Sequence, residues 1–125
     1  MSTIKTTTLS TQGGSTVPVD TVVNGTAKAW VNFNGTGVVA IRRAFNVASI
    51  TDNGTGDYTI NLTAAMQDVN YSFVGTAGGG TTNPNHYLTG PSTATTLSTS
   101  LFRIQTRNDA ASFVDSNTVM CAVFS

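Results

Sequence analysis

The chain has 125 residues, with 6 Lys and Arg balanced by 6 Asp, no Glu, one His and one Cys. That length builds one domain, and a net charge of zero without a basic run cannot supply the Lys and Arg that displace counterions from nucleic acid. The longest apolar stretch, residues 119–124, falls far short of the roughly 20 residues that span a bilayer. Neither nucleic-acid binding nor membrane insertion is expected.

Apolar residues and glycine reach the usual globular share, so disorder is not expected. The polar part is unusual: 23 Thr, 11 Ser and 11 Asn accompany only 10% charged residues, against a usual figure of about 25%. Val, Ile and Thr number 41, whereas Glu, Lys and Leu number 7. β-branched side chains are stiff at the first torsion and pack well on a pleated surface, so the chain reads as all-β.

Residues 1–16 form a candidate arm. Ile4 and Leu9 are the only apolar anchors among its first 14 residues, which otherwise carry threonines and Gly13-Gly14, too little to offset the entropy of ordering. The arm is expected to dock on another chain, and Val17, Val19, Val22 and Val23 are expected to begin the folded part. No apolar core of a secretory signal follows Met1.

Residues 27–33 alternate, with Ala27, Ala29, Val31 and Phe33 on one face and Lys28, Trp30 and Asn32 on the other, the pattern of a half-buried strand. A turn at 34–37 leads to a second strand at 38–45, on which Arg42 and Arg43 point to opposite faces. Trp30 is expected to pack under a neighbouring strand or subunit. Strands at 46–51 and 58–62 flank the loop 52–57 and give the clearest hairpin. A short strand at 69–74, with Tyr71 and Phe73 on one side, is expected to end at Gly75.

From Gly75 to Pro91 the chain is rich in Gly, Thr, Asn and Pro, interrupted by His86, Tyr87 and Leu88. This reads as a long excursion holding one short strand. Phe102, Ile104 and Thr106 alternate with Leu101, Arg103 and Gln105, a turn follows at Asn108-Asp109, and the last strand is 118–124. Its apolar residues fall on both faces, as in a strand covered on both sides. Seven to nine short strands with polar turns predict an antiparallel β-sandwich or jelly-roll-like domain over 17–125, preceded by the extended N-terminal arm.

No catalytic constellation stands out. His86 is far in sequence from Cys121, which reads as a small buried hydrophobe unable to form an internal disulfide. Six aspartates, Asp20, Asp52, Asp57, Asp68, Asp109 and Asp115, are the only candidates for a glycosidase pair, and half of them adjoin Asn or Gly, where they accept backbone hydrogen bonds in turns. The loop 52–57 spaces oxygen donors as calcium loops do but lacks the terminal Glu. No enzymatic activity, cofactor or metal site is expected. Three Asn-Gly-Thr triplets, at Asn24, Asn34 and Asn53, match glycosylation sequons and read better as tight turns in which glycine supplies positive φ.

The run Asn24-Gly25-Thr26-Ala27-Lys28-Ala29-Trp30-Val31-Asn32-Phe33-Asn34-Gly35-Thr36-Gly37 is followed by Ile41-Arg42, by Phe45-Asn46-Val47 and by Ser49-Ile50-Thr51-Asp52-Asn53-Gly54-Thr55-Gly56-Asp57-Tyr58. Together these closely resemble the distal, C-terminal domain of tailed-bacteriophage tail-fibre proteins. The resemblance continues more loosely through Met66 to Tyr71 and in the closing strands, covering roughly 17–125. It implies a homotrimeric, β-rich virion protein, assembled in the host cytoplasm, that contacts a host-surface glycan or protein. A short arm stands where many relatives have a long shaft. This leaves a tail fibre, a baseplate tip or a head fibre open, and with them a structural decoration protein attached through the arm to other virion proteins.

Loops on a rigid β scaffold are where binding usually resides. The candidate recognition residues are therefore Asn83, Asn85, His86 and Tyr87, whose amides suit hydroxyl groups and whose rings offer stacking area. A subunit contact is the competing reading of the same segment.

Overall fold

A computed structural model describes residues 1–79, 85–90 and 97–125. The elements in chain order are β1 (Thr8–Ser10), β2 (Thr16–Pro18), α1 (Val19–Gly25), β3 (Ala29–Asn34), β4 (Ala40–Phe45), β5 (Val47–Gly54), β6 (Asp57–Leu62), β7 (Ser72–Gly78), β8 (His86–Thr89), β9 (Leu101–Asn108) and β10 (Thr118–Phe124). Strands β3 to β10 form two four-stranded sheets, ordered β4-β3-β10-β7 and β5-β6-β9-β8. Every pairing is antiparallel. The fold is an all-β sandwich.

The interior follows from alternation. Ala29, Val31 and Phe33 of β3 and Val119, Cys121 and Val123 of β10 meet Tyr58, Ile60 and Leu62 of β6 and Phe102 and Ile104 of β9. Phe33 packs edge-on against Tyr58 with ring centres 5.2 Å apart, and Phe73 stacks on Phe102 at 6.1 Å, the offset and edge geometries that aromatic quadrupoles favour. The free Cys121 lies in this core, and burial pushes its thiol up to about 12.

The chain changes sheets through a single residue. Asn46 takes a left-handed conformation, φ 55°, which Asn tolerates better than most residues. Its amide nitrogen donates to the carbonyls of Lys28 and Ala64, and its oxygen accepts from the Ala64 N–H. The sequence reading began a strand here, whereas Asn46 is the corner between β4 and β5.

At one end of the sandwich the Tyr58 hydroxyl donates to the Gly35 carbonyl at 2.8 Å and to Asp115 at 3.0 Å, and Asp115 also accepts the Gly56 N–H. Burial, followed by the nearby Asp115 carboxylate, raises the Tyr58 pKa and keeps the phenol protonated. A Cβ on Gly35 would lie 2.5 Å from the Tyr58 hydroxyl and 2.9 Å from the Ser116 carbonyl, so this glycine is needed for space. Among the three Asn-Gly pairs only Gly54 has positive φ. At Asn53 the positive φ serves a register shift at the end of β5, beside the turn at Thr55-Gly56; close packing replaces the turn explanation at Asn34, and Gly25 is the last residue of α1.

Three further elements differ from the sequence reading. Val17, Val19, Val22 and Val23 do not begin the core: they fall in β2 and in a seven-residue helix with no buried residue. Pro18 before the first turn and Asp20 within it favour the helix start. Strand β7 runs through Gly75 to Gly78; a Cβ on Gly75 would meet the Leu88 side chain and the Met120 carbonyl at 2.6 Å, so glycine here admits Leu88 rather than ending the strand. Strand β10 is covered on one face only, with Val119, Cys121 and Val123 buried while Met120 is 39% exposed.

Candidate functional site

Strand β8 carries the residues singled out from sequence. It pairs with β9 in the register His86 to Asn108, Tyr87 to Arg107, Leu88 to Thr106 and Thr89 to Gln105. Alternation separates the two rings that the sequence reading combined. His86 turns inward, its Nδ1 2.9 Å from the Oγ of the fully buried Ser116. Tyr87 turns outward and is 41% exposed. The imidazole satisfies a buried hydroxyl, and only the phenol is offered to a ligand. Asn85 is exposed just before β8, and Asn83 lies outside the described residues.

The structure adds partners that periodicity did not reveal. Asn108 accepts the N–H groups of Ala110 and Ser112, folding the turn back so that Phe113 bridges Arg107. The Arg107 guanidinium sits 4.1 Å above the Phe113 ring centre, within the range of cation–π attraction. It is anchored by donation to the Ala111 carbonyl and the Gln105 side-chain oxygen. Tyr87, Arg107 and Phe113 thus form one row across the sheet, an aromatic ring on each side of a cation.

Further along the same outer face lies a hydrogen-bonded polar surface. Arg103 Nε donates to Asp57 at 2.5 Å and a second guanidinium nitrogen completes the bidentate pair. The Arg103 hydrogen bond holds the Asp57 carboxyl below the usual carboxylate range. Asn53 donates to Thr59 at 2.8 Å, and Asn61 donates to the hydroxyls of Ser49 and Thr51. The arrangement can stack a ring and exchange hydrogen bonds with hydroxyl or carboxylate groups. Asp52 caps the Gly54 N–H, so the two carboxylates of the 52–57 loop are engaged in a turn and an ion pair. Among the described residues no three His, Cys or Asp side chains gather as a metal site.

The other sheet presents the opposite surface. Phe45, Trp30, Ala122 and Val74 occupy one row across four strands, and the next row is Arg43, Asn32, Met120 and Thr76. Phe45 is 55% and Val74 58% exposed. Trp30 is half-buried among these outer residues rather than in the core. A shallow, mainly apolar groove of about 460 Å³ runs between Trp30, Val74, Met120 and Ala122, with Asn32 and Thr76 also on its walls. Arg42 donates to Asn32 and to the carbonyls of Phe33 and Asn117, and Arg43 opposite Asn32 is exposed.

Fold and surfaces together define the class: an antiparallel β-sandwich with an exposed apolar row on one outer sheet face and a hydrogen-bonded polar surface on the other. Comparison of the chain with known protein families, curated proteins and solved structures returns no match.

Proposed function

We propose that the chain is the distal domain of a bacteriophage fibre, a homotrimeric virion protein that contacts a glycan or protein on the host surface. The observation that carries this reading is the contrast between the outer sheet faces: Trp30, Val74 and Met120 on one, Tyr87, Arg107 and the Asp57–Arg103 pair on the other. An exposed apolar patch on a soluble particle component fits contact with other copies. A flat polar face flanked by rings fits a hydroxyl-rich ligand, because rings supply area at low entropic cost. The resemblance of residues 24–58 to fibre domains points the same way. No cofactor enters this reading.

The test is binding of the labelled chain to a panel of intact bacterial strains. Saturable binding is expected on at least one strain, displaced by unlabelled chain and weakened about tenfold or more by Tyr87→Ala or Arg107→Ala, as for a residue at the centre of an interface. One observation favours a second reading, a decoration, head-fibre or baseplate protein: residues 1–7 precede the first strand and are exposed throughout, an extended segment suited to another virion protein. Absence of binding on every strain, with retention on virions that truncation of 1–7 abolishes, selects that reading.

A further inference from the structure

We infer that Tyr87, Arg107 and Phe113 bind a carboxylate-bearing sugar chain, with Arg107 holding the carboxylate; this rests on the reading of their outer face as the host-contacting surface.

Arg107 carries a charge that the chain does not answer. Among the described residues only Arg103 and Asp57 form an ion pair. Asp109, in the adjoining turn, is exposed and makes none with Arg107. Two arginines and one aspartate on this face leave one positive charge. A guanidinium has five N–H donors, and two are engaged here, by the Ala111 carbonyl at 2.8 Å and the Gln105 side-chain oxygen at 3.3 Å. The others are suited to a planar acceptor that takes two parallel bonds.

The guanidinium is also held in place before a ligand arrives. Gln105 is 8% exposed and hydrogen-bonds Asp57 as well as Arg107, so its amide is fixed from both sides. The turn after β9 does not need the arginine to close. Asn108 accepts the Ala110 and Ser112 N–H groups through its side chain and the Ala111 N–H through its carbonyl. What the arginine gains from its contacts is a fixed position over Phe113, and a group ordered in advance loses less entropy on binding. The other cations differ. Arg42 donates to Asn32 and to the carbonyls of Phe33 and Asn117, and Lys28 to those of Val23 and Thr26. Among the described residues Arg107 alone lies over a ring.

The surroundings select the ligand. One surplus positive charge matches one negative charge for each unit bound. A phosphate monoester carries roughly −1.5 to −2 and would stand near Asp57 with much of its charge unmatched, whereas a carboxylate carries one charge and fits the guanidinium fork. Tyr87 on one side and Phe113 on the other are both exposed. Neighbouring strands lie about 4.8 Å apart, so the row offers roughly 10 Å of ring and cation, an outline for a segment of chain rather than a free ion.

The experiment uses the full chain and the polysaccharide purified from a strain that it binds, immobilised untreated and with its carboxyl groups reduced to primary alcohols. Reduction removes the carboxylate and keeps the sugar backbone and any phosphodiester. It is expected to weaken binding about tenfold or more, and Arg107→Gln to weaken binding to the untreated form as much. On the reduced form Arg107→Gln should cost nothing further, as for two partners of one contact. Arg43→Gln removes the same charge from the other sheet and should bind the untreated form like the unaltered chain. Equal binding of the unaltered chain to both forms overturns the carboxylate, in favour of a neutral sugar or a phosphodiester, and does so whether or not the Arg107 variant folds. Equal losses at Arg43 and Arg107 overturn it as a general charge effect. Binding to cells but not to their polysaccharide keeps the host-contact reading and overturns the sugar; binding to no strain removes both.

Discussion

Strands β3 and β9 sit at the centre of their sheets and bury the same kind of inner face, Ala29, Val31 and Phe33 on one and Phe102, Ile104 and Thr106 on the other. Their outer faces diverge. One outward row beside β3, Phe45, Trp30, Ala122 and Val74, offers no hydrogen-bonding group except the indole nitrogen, and the next carries Arg43, Asn32, Met120 and Thr76; beside β9 Arg103 is paired with Asp57, and Thr59 accepts from Asn53. Apolar area left in water costs about 25 cal/mol per Å² relative to burial. A sheet edged in Thr and Asn carries no such penalty. The difference teaches that the inner faces of the two sheets are alike while their outer faces differ in how far the side chains satisfy one another.

The contrast can be sharpened with one residue type placed inside and outside. Phe102→Ala removes a ring stacked on Phe73 and nearly inaccessible to solvent, and is expected to cost about 3–5 kcal/mol of unfolding free energy by denaturant titration. Phe45→Ala, on the apolar outer face, is expected to cost the single chain less than about 1 kcal/mol. A similar loss at both positions would mean that the outer face is already covered within the chain.

Gly56→Ala attacks the join between the sheets. This residue has φ +64°, and a Cβ would lie 2.6 Å from the Thr106 carbonyl and 2.7 Å from the Val114 nitrogen. Left-handed strain and overpacking together predict a loss of about 2–4 kcal/mol, read by denaturant titration. Tyr58→Phe at the same end removes one donor from Gly35 and Asp115, and should cost about 1–3 kcal/mol through the buried Gly35 carbonyl, since Asp115 keeps the Gly56 N–H.

The smallest effect belongs to the polar face and is read against pH. Because Arg103 lowers the folded-state pKa of Asp57, the pair stabilises the fold above the unfolded aspartate value of about 3.9. That stability is lost as pH falls through the lower folded value. Asp57→Asn should flatten the acid limb of a thermal-stability profile below about pH 4 and leave the neutral region nearly level. An unchanged limb would show that solvent screens the pair.

Much of the sandwich was legible because alternation is a local property. The segment 27–33 and the final strand at 118–124 reappear as β3 and β10, with the inward residues of β3 assigned correctly. The hairpin around 52–57 also reappears, as β5 and β6. Helix α1 was hidden because Val19, Val22 and Val23 are β-branched and favour strands, although Pro18 and Gly25 bracket it as helix boundaries would. Strand β7 was cut short at Gly75 because a glycine in a strand reads as an end, whereas the reason for it is Leu88 on the facing sheet. The site was legible only in Tyr87. Arg107 and Phe113 are joined by a turn that Asn108 ties, and nothing in their spacing announces the contact.

The sequence by itself determined a β-rich chain with little charge, and which side of β3, β6 and β9 is apolar, because side-chain direction alternates with every residue. Tertiary structure alone decided which strands are neighbours. Pairing across long stretches of chain placed Arg103 against Asp57, aligned Phe45, Trp30, Ala122 and Val74 into one surface, and turned His86 inward while leaving Tyr87 in water. Such contacts depend on strand order and register, which a one-residue shift would reverse.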